Sequence, residues 1–85
     1  MIRFTKHARE KFSVLKKHGV SISRQKVVAT VQKPEHIDHS RHPLLIAQQT
    51  IDAEHVLRVV YKQSGDDMII ITFYPGRSKQ YEKTN

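Results

Sequence analysis

The feature that most constrains this chain is a single change in the spacing of its apolar residues, at Pro34. Before it, Ala8, Phe12 and Leu15 recur at helical intervals between Thr5, a good N-cap, and Gly19, a good residue just past a helix end. Ser23 then offers a second N-cap, followed by Val27, Val28 and Val31 on one face, with Pro34 beyond. Two amphipathic helices are expected. Ahead of them, Ile2-Arg3-Phe4 alternates in polarity and suggests a short opening strand.

After Pro34 the pattern is that of strands. Residues 44–51, 56–62 and 68–74 are rich in Val, Ile, Leu and aromatics, with turn signals at Asp52-Ala53-Glu54 and Ser64-Gly65-Asp66-Asp67. Such short connections favour an antiparallel meander. The expected fold is α+β in the order (β)-α-α-β-β-β, with both helices packed on one face of a small antiparallel sheet. With 38% apolar residues, the 85-residue chain has enough for one core, so one domain spanning residues 1–85 is expected. The polar stretch from Gly76 to Asn85 either docks on a sheet edge or trails away.

Charge narrows the partners. Met1 to Lys33 carries nine basic residues against one acid, Glu10, and the whole chain has a formal charge of +7. A field of this kind attracts nucleic acid, an acidic protein or an anionic surface; the plainer reading is a well-solvated helix face. The absence of cysteine removes disulfides and thiol nucleophiles and suits a reducing compartment. No apolar run approaches the roughly 20 residues of a membrane span, and MIRFTKHARE becomes charged too early for a signal peptide. A soluble, cytoplasmic protein with no membrane partner is expected.

Alternation along the strands sorts the polar candidates. Val56, Arg58, Val60 and Lys62 share one face, and Leu57, Val59 and Tyr61 the other. In the last strand, Met68, Ile70, Thr72 and Tyr74 are expected opposite Ile69, Ile71 and Phe73. Arg58, Thr72 and Tyr74 are then candidates for the uncovered face. An arginine inside an apolar strand either has a partner or lays its stem on the sheet.

Beyond Tyr74, Pro75-Gly76 reads as a turn that brings Arg77, Lys79 and Tyr81 close to the strand end. Arginine binds phosphate bidentately, lysine or histidine exchanges protons, and tyrosine polarises a hydroxyl or stacks on a base. That inventory suits phosphodiester chemistry, although solvated cations after a turn account for it equally well. His7, beside Lys6 and Arg9 at a helix start, is a candidate base; the alternative is a histidine tied to a neighbouring strand. His36, His39 and His42 are framed by Pro34 and Pro43, which argues for a polar loop over a metal site. Neither a metal nor a cofactor is called for by this sequence.

Phe4-Thr5-Lys6-His7-Ala8-Arg9-Glu10-Lys11-Phe12, His18-Gly19-Val20-Ser21, Lys33-Pro34-Glu35, Leu57-Arg58-Val59-Val60-Tyr61 and Ile71-Thr72-Phe73-Tyr74-Pro75 together resemble a family of small prokaryotic domains similar to the RelE/ParE toxin superfamily, including its BrnT branch. The likeness spans nearly the whole chain as scattered positions. It implies the toxin of a toxin-antitoxin system, a metal-independent endoribonuclease (mRNA interferase) that arrests translation and growth, with RNA, on or off the ribosome, and an antitoxin covering the basic face as partners. Non-nucleolytic toxins of the ParE kind, or a small basic nucleic-acid-binding module, are the alternative.

Carried over position by position, Arg58 matches the sheet arginine that holds the scissile phosphate. Arg77 or Lys79, with Tyr81, matches the basic and aromatic residues near the C-terminus. With Tyr74 and His7 these form the candidate catalytic set, and Lys6, Arg9, Lys11 and Lys79 the candidate RNA-binding set. RelE itself uses paired lysines on a sheet strand where this chain has Gln48 and Gln49, which speaks against cleavage of the ribosome-dependent RelE type.

Overall fold

The computed structural model describes residues 1–81. The chain runs β1 (Ile2–Phe4), α1 (Lys6–Lys17), α2 (Arg24–Gln32), β2 (His36–Asp38), β3 (Leu45–Thr50), β4 (His55–Ser64), β5 (Asp67–Arg77) and a 3₁₀ turn, Ser78–Gln80. The fold is α+β, as the change of period at Pro34 requires.

Both helices start and stop where local chemistry says they should. Thr5 Oγ1 accepts from the Ala8 N–H at 3.1 Å and Ser23 Oγ from the Lys26 N–H at 3.0 Å, each satisfying one otherwise unpaired donor of the first turn. At the end of α1 the Gly19 N–H reaches the Lys16 carbonyl and the Val20 N–H the Leu15 carbonyl. This paired closure needs a left-handed residue, and Gly19 supplies it with φ of 80°.

The sheet has five strands in the order β1-β5-β4-β3-β2. All neighbours are antiparallel except β1 and β5, which are parallel, the connection between them running through both helices and the other three strands. Gly65, with φ of 59°, occupies the first central position of the two-residue hairpin between Ser64 and Asp67. Leu57, Val59, Tyr61, Ile70 and Phe73 form the sheet side of the core, against Ala8 of α1 and Val27 and Val31 of α2. The Phe12 ring lies 4.6 Å from that of Phe73, centroid to centroid. Burying one such aromatic contributes about 1.5–3 kcal/mol.

Three expectations are corrected. The segment expected as a polar loop begins with a strand: His36, Ile37 and Asp38 pair with Gln48, Ala47 and Ile46. Such a short strand is stabilised by the edge it extends, and Ile37 is its one strand-forming residue. Second, β5 does not turn at Pro75-Gly76 but runs on to Arg77, opposite His55. Proline fits because β1 pairs only with residues 68–70, so the outer edge of β5 is unpaired at Pro75. Third, the register shifts between Val60 and Tyr61, with Val60 opposite Thr72 and Tyr61 opposite Ile70. Ile71 is the extra residue of this bulge. It breaks the alternation expected for β5 and lets both Ile70 and Phe73 reach the core. No helix among the described residues is long and apolar enough to cross a membrane.

Candidate functional site

The helices cover one face of the sheet and leave the other to side chains. Arg58 on β4 faces Gln48 on β3 and Tyr74 on β5 across the ladder, so one row of the uncovered face carries all three. Arg58 is nevertheless only 4% exposed. Its guanidinium donates from Nε to the Tyr74 hydroxyl at 3.1 Å, from Nη1 to Gln48 Oε1 at 2.6 Å and from Nη2 to Asp38 Oδ2 at 2.8 Å. The Tyr81 ring covers its face, 4.0 Å from Cζ to the centroid.

This cage settles how a buried cation is tolerated. Burial works against the charge of Arg58, but the hydrogen bonds to Tyr74 and Asp38 outweigh it and raise its pKa further. Asp38 is held well below the usual carboxylate range, first by hydrogen bonds from the Ser40 hydroxyl and backbone N–H and then by Arg58. The pair is therefore ionised on both sides at neutral pH. Beside it lies a cavity of about 330 Å³ whose lining includes Ser40, Arg41, Leu44 and Tyr74. A guanidinium has five N–H groups, and hydrogen bonds within the protein occupy three of them here.

Of the candidate catalytic residues, Arg58, Tyr74 and Tyr81 converge on this cavity. Arg77 does not: with Lys79 it lines a separate cavity of about 450 Å³ at the end of the sheet. His7 lines neither. Its Nε2 lies 3.2 Å from Thr72 Oγ1, tying α1 to β5 as the plainer reading of that residue has it. Lys6, Arg9 and Lys11 belong to α1 in the opposite layer, and the Arg9 guanidinium is engaged by the Phe4 carbonyl at 2.9 Å. The expected single constellation is thus divided between three places. Among the described residues, no group of three His, Asp or Glu side chains gathers as metal ligands would.

Sequence reasoning missed Asp38 and Arg41 and did not place Gln48 beside Arg58. Gln48 was legible, because strands joined by the short Asp52–Glu54 turn put it opposite Arg58. A buried arginine also demands a carboxylate, but choosing Asp38 among the acids required β2. Neither a protein family, a curated protein nor a solved structure matches this chain.

Proposed function

We propose that this protein is an RNA-directed toxin domain, a metal-independent endoribonuclease that takes a phosphodiester at the Arg58 cavity. The observation that carries the reading is Arg58 itself: an ionised arginine, braced by Tyr74 and Tyr81 on the one sheet face without helices. A phosphate oxygen accepts from its two remaining N–H groups, and Arg41 on the rim adds a second cation. The ribose 2′-hydroxyl attacks the adjacent phosphorus, the O2′–P bond forms and the P–O5′ bond breaks. Arg58 stabilises the added phosphate charge. The Tyr74 hydroxyl, whose oxygen accepts from Arg58 Nε, keeps its own proton to give to the departing 5′-oxygen, while the 2′-hydroxyl proton leaves to water. Its partners in this reading are RNA and an antitoxin laid on the basic α1 surface.

The test is incubation with end-labelled RNA in EDTA, with and without ribosomes, using wild type, Arg58→Lys and Tyr74→Phe. Expected are products ending in 2′,3′-cyclic phosphate, lost in Arg58→Lys and much reduced in Tyr74→Phe, with both variants folded by circular dichroism. Intact RNA under every condition would overturn cleavage.

One observation favours a second reading, a binding module without a reaction. Asp38 already occupies Arg58 as an anion would, so a ligand must share the guanidinium with it. Such a module binds RNA with a steep salt dependence and leaves it intact.

A further inference from the structure

At the end of the sheet remote from the β4–β5 hairpin, the turn Asp52–Glu54 leads into His55, and Arg77 sits directly across the ladder from it. The Ser78 N–H donates to the Glu54 carbonyl at 2.8 Å, fastening the end of β5 to this turn. Between them lies the cavity of about 450 Å³ lined by Ala53, Glu54, His55, Arg77, Ser78 and Lys79. It shares no lining residue with the Arg58 cavity.

Asp52 organises the turn. Its Oδ1 accepts from the Glu54 and His55 N–H groups at 2.8 and 2.9 Å, and its two carboxylate oxygens lie 2.9 and 3.1 Å from His55 Nδ1. These contacts, led by the Glu54 N–H and then by the imidazole, hold the Asp52 pKa below the ordinary carboxylate value. An ionised carboxylate only accepts, so His55 Nδ1 carries a proton. Nε2 is then the ring atom outside the turn, an acceptor in the neutral ring and a donor in the imidazolium. Among the described residues, neither Arg77 nor Lys79 has a carboxylate within 4.0 Å. The cavity thus presents two cations, an oriented imidazole and a hydroxyl, against the single carboxylate of Glu54.

We propose that this cavity is a phosphate monoester site, in which Arg77 and Lys79 hold the dianion, the Ser78 hydroxyl donates to it, and binding draws a second proton onto His55 Nε2 so that the ring donates as well. A monoester offers three terminal oxygens to these donors where a diester offers two. The monoester is either free phosphate or the 5′-phosphate end of an RNA. This site stands whether or not the Arg58 cavity cleaves RNA.

The experiment follows the imidazole ¹⁵N resonances of His55 in the full chain at a pH above the second phosphate ionisation of about 6. Three probes are titrated: inorganic phosphate, a 5′-phosphorylated oligoribonucleotide and the same oligonucleotide with a 5′-hydroxyl. A saturable shift of Nε2 with inorganic phosphate alone identifies free phosphate as the ligand; the same shift with the phosphorylated oligonucleotide as well identifies an RNA end. In Arg77→Gln/Lys79→Gln, whose backbone spectrum reports its folding, affinity should fall roughly tenfold or more. No saturable shift with either phosphate probe, an equal response to the 5′-hydroxyl oligonucleotide, or unchanged affinity in the double variant would overturn the proposal.

Discussion

The ring of Tyr81 lies 4.0 Å from the guanidinium carbon of Arg58, so the chain that leaves the last strand returns across the sheet face without helices. The 3₁₀ turn Ser78–Gln80 makes this reversal possible, closed by the Tyr81 N–H on the Ser78 carbonyl at 3.1 Å. The stacking excludes water from one side of the arginine while Asp38, Gln48 and Tyr74 occupy its edge. The cage is built from four strands and a terminal turn, and its parts depend on one another.

Gly76 is the floor on which Tyr81 rests. A Cβ at this position would stand 2.5 Å from Tyr81 Cε2, far inside contact distance. The backbone at Gly76 needs no left-handed conformation, so Gly76→Ala leaves β5 intact and displaces the ring instead. The expected cost is about 1 kcal/mol, the size of a partly desolvated cation–π contact. Urea unfolding measures it, and the Tyr81 ring resonances should move towards solvent-exposed positions. Unchanged ring shifts would show that Tyr81 does not depend on the bare glycine.

The helices were legible because their signals are local: Thr5, Ser23 and Gly19 act within one turn of their own positions. The placing of Arg58 and Tyr74 on one face was legible too, since alternation survives from the start of β4 up to Val60 and Thr72. Past that point Ile69, Ile70 and Ile71 are alike, so nothing in their chemistry says which one bulges. The strand His36–Asp38 was hidden for a different reason: its hydrogen bonds come from β3, and a single strand former, Ile37, between two polar residues makes no alternating pattern. Without that strand Asp38 had no place in the site. Composition grouped Arg77 with Tyr81, whereas the continuing strand sends Arg77 to the sheet end and the 3₁₀ turn brings Tyr81 back.

The Asp38–Arg58 pair makes stability depend on acid. The pKa of Asp38 is lowered on folding, whereas an unfolded aspartate titrates near 3.9. The unfolded chain therefore takes up this proton first, and the stabilisation, present above about pH 4, is lost as pH falls towards the folded-state value. Asp38→Asn keeps an oxygen for Arg58 but removes the charge, for an expected loss of about 2 kcal/mol at pH 7. Between pH 5 and pH 3 the urea midpoint of wild type should fall more than that of the variant. Parallel curves would mean that Asp38 is not the group responsible.

Thr5 joins two elements with one hydroxyl. Its Oγ1 accepts from the Ala8 N–H, capping α1, and donates to the Ile71 carbonyl at 3.2 Å, the residue that bulges from β5. Thr5→Ala should cost about 1–2 kcal/mol, more than a cap alone, because the bulge carbonyl loses a partner as well. Thr5→Ser retains both hydrogen bonds and should recover most of the loss in thermal unfolding. Amide exchange at residues 70–72 separates the two roles: faster exchange there in Thr5→Ala is the sign of a loosened bulge.

A buried ion pair is costly to break but not to replace. Removing Arg58 alone leaves the Asp38 carboxylate with Ser40 only, whereas Arg58→Met with Asp38→Leu removes both charges from a site already lined by Leu44, Ile46 and Val60. The double variant should be as stable as wild type within about 1 kcal/mol, and Arg58→Met alone less stable by about 2–3 kcal/mol. Tyr81 then stacks on methionine in place of a cation. If the cage exists only to hold the sheet together, the growth arrest proposed for the wild type should survive in the double variant; if Arg58 receives an anion, arrest seen with the wild type should vanish while the fold persists. Chemical denaturation and a growth assay on the same three proteins decide between structure and activity, because the double variant separates charge from stability.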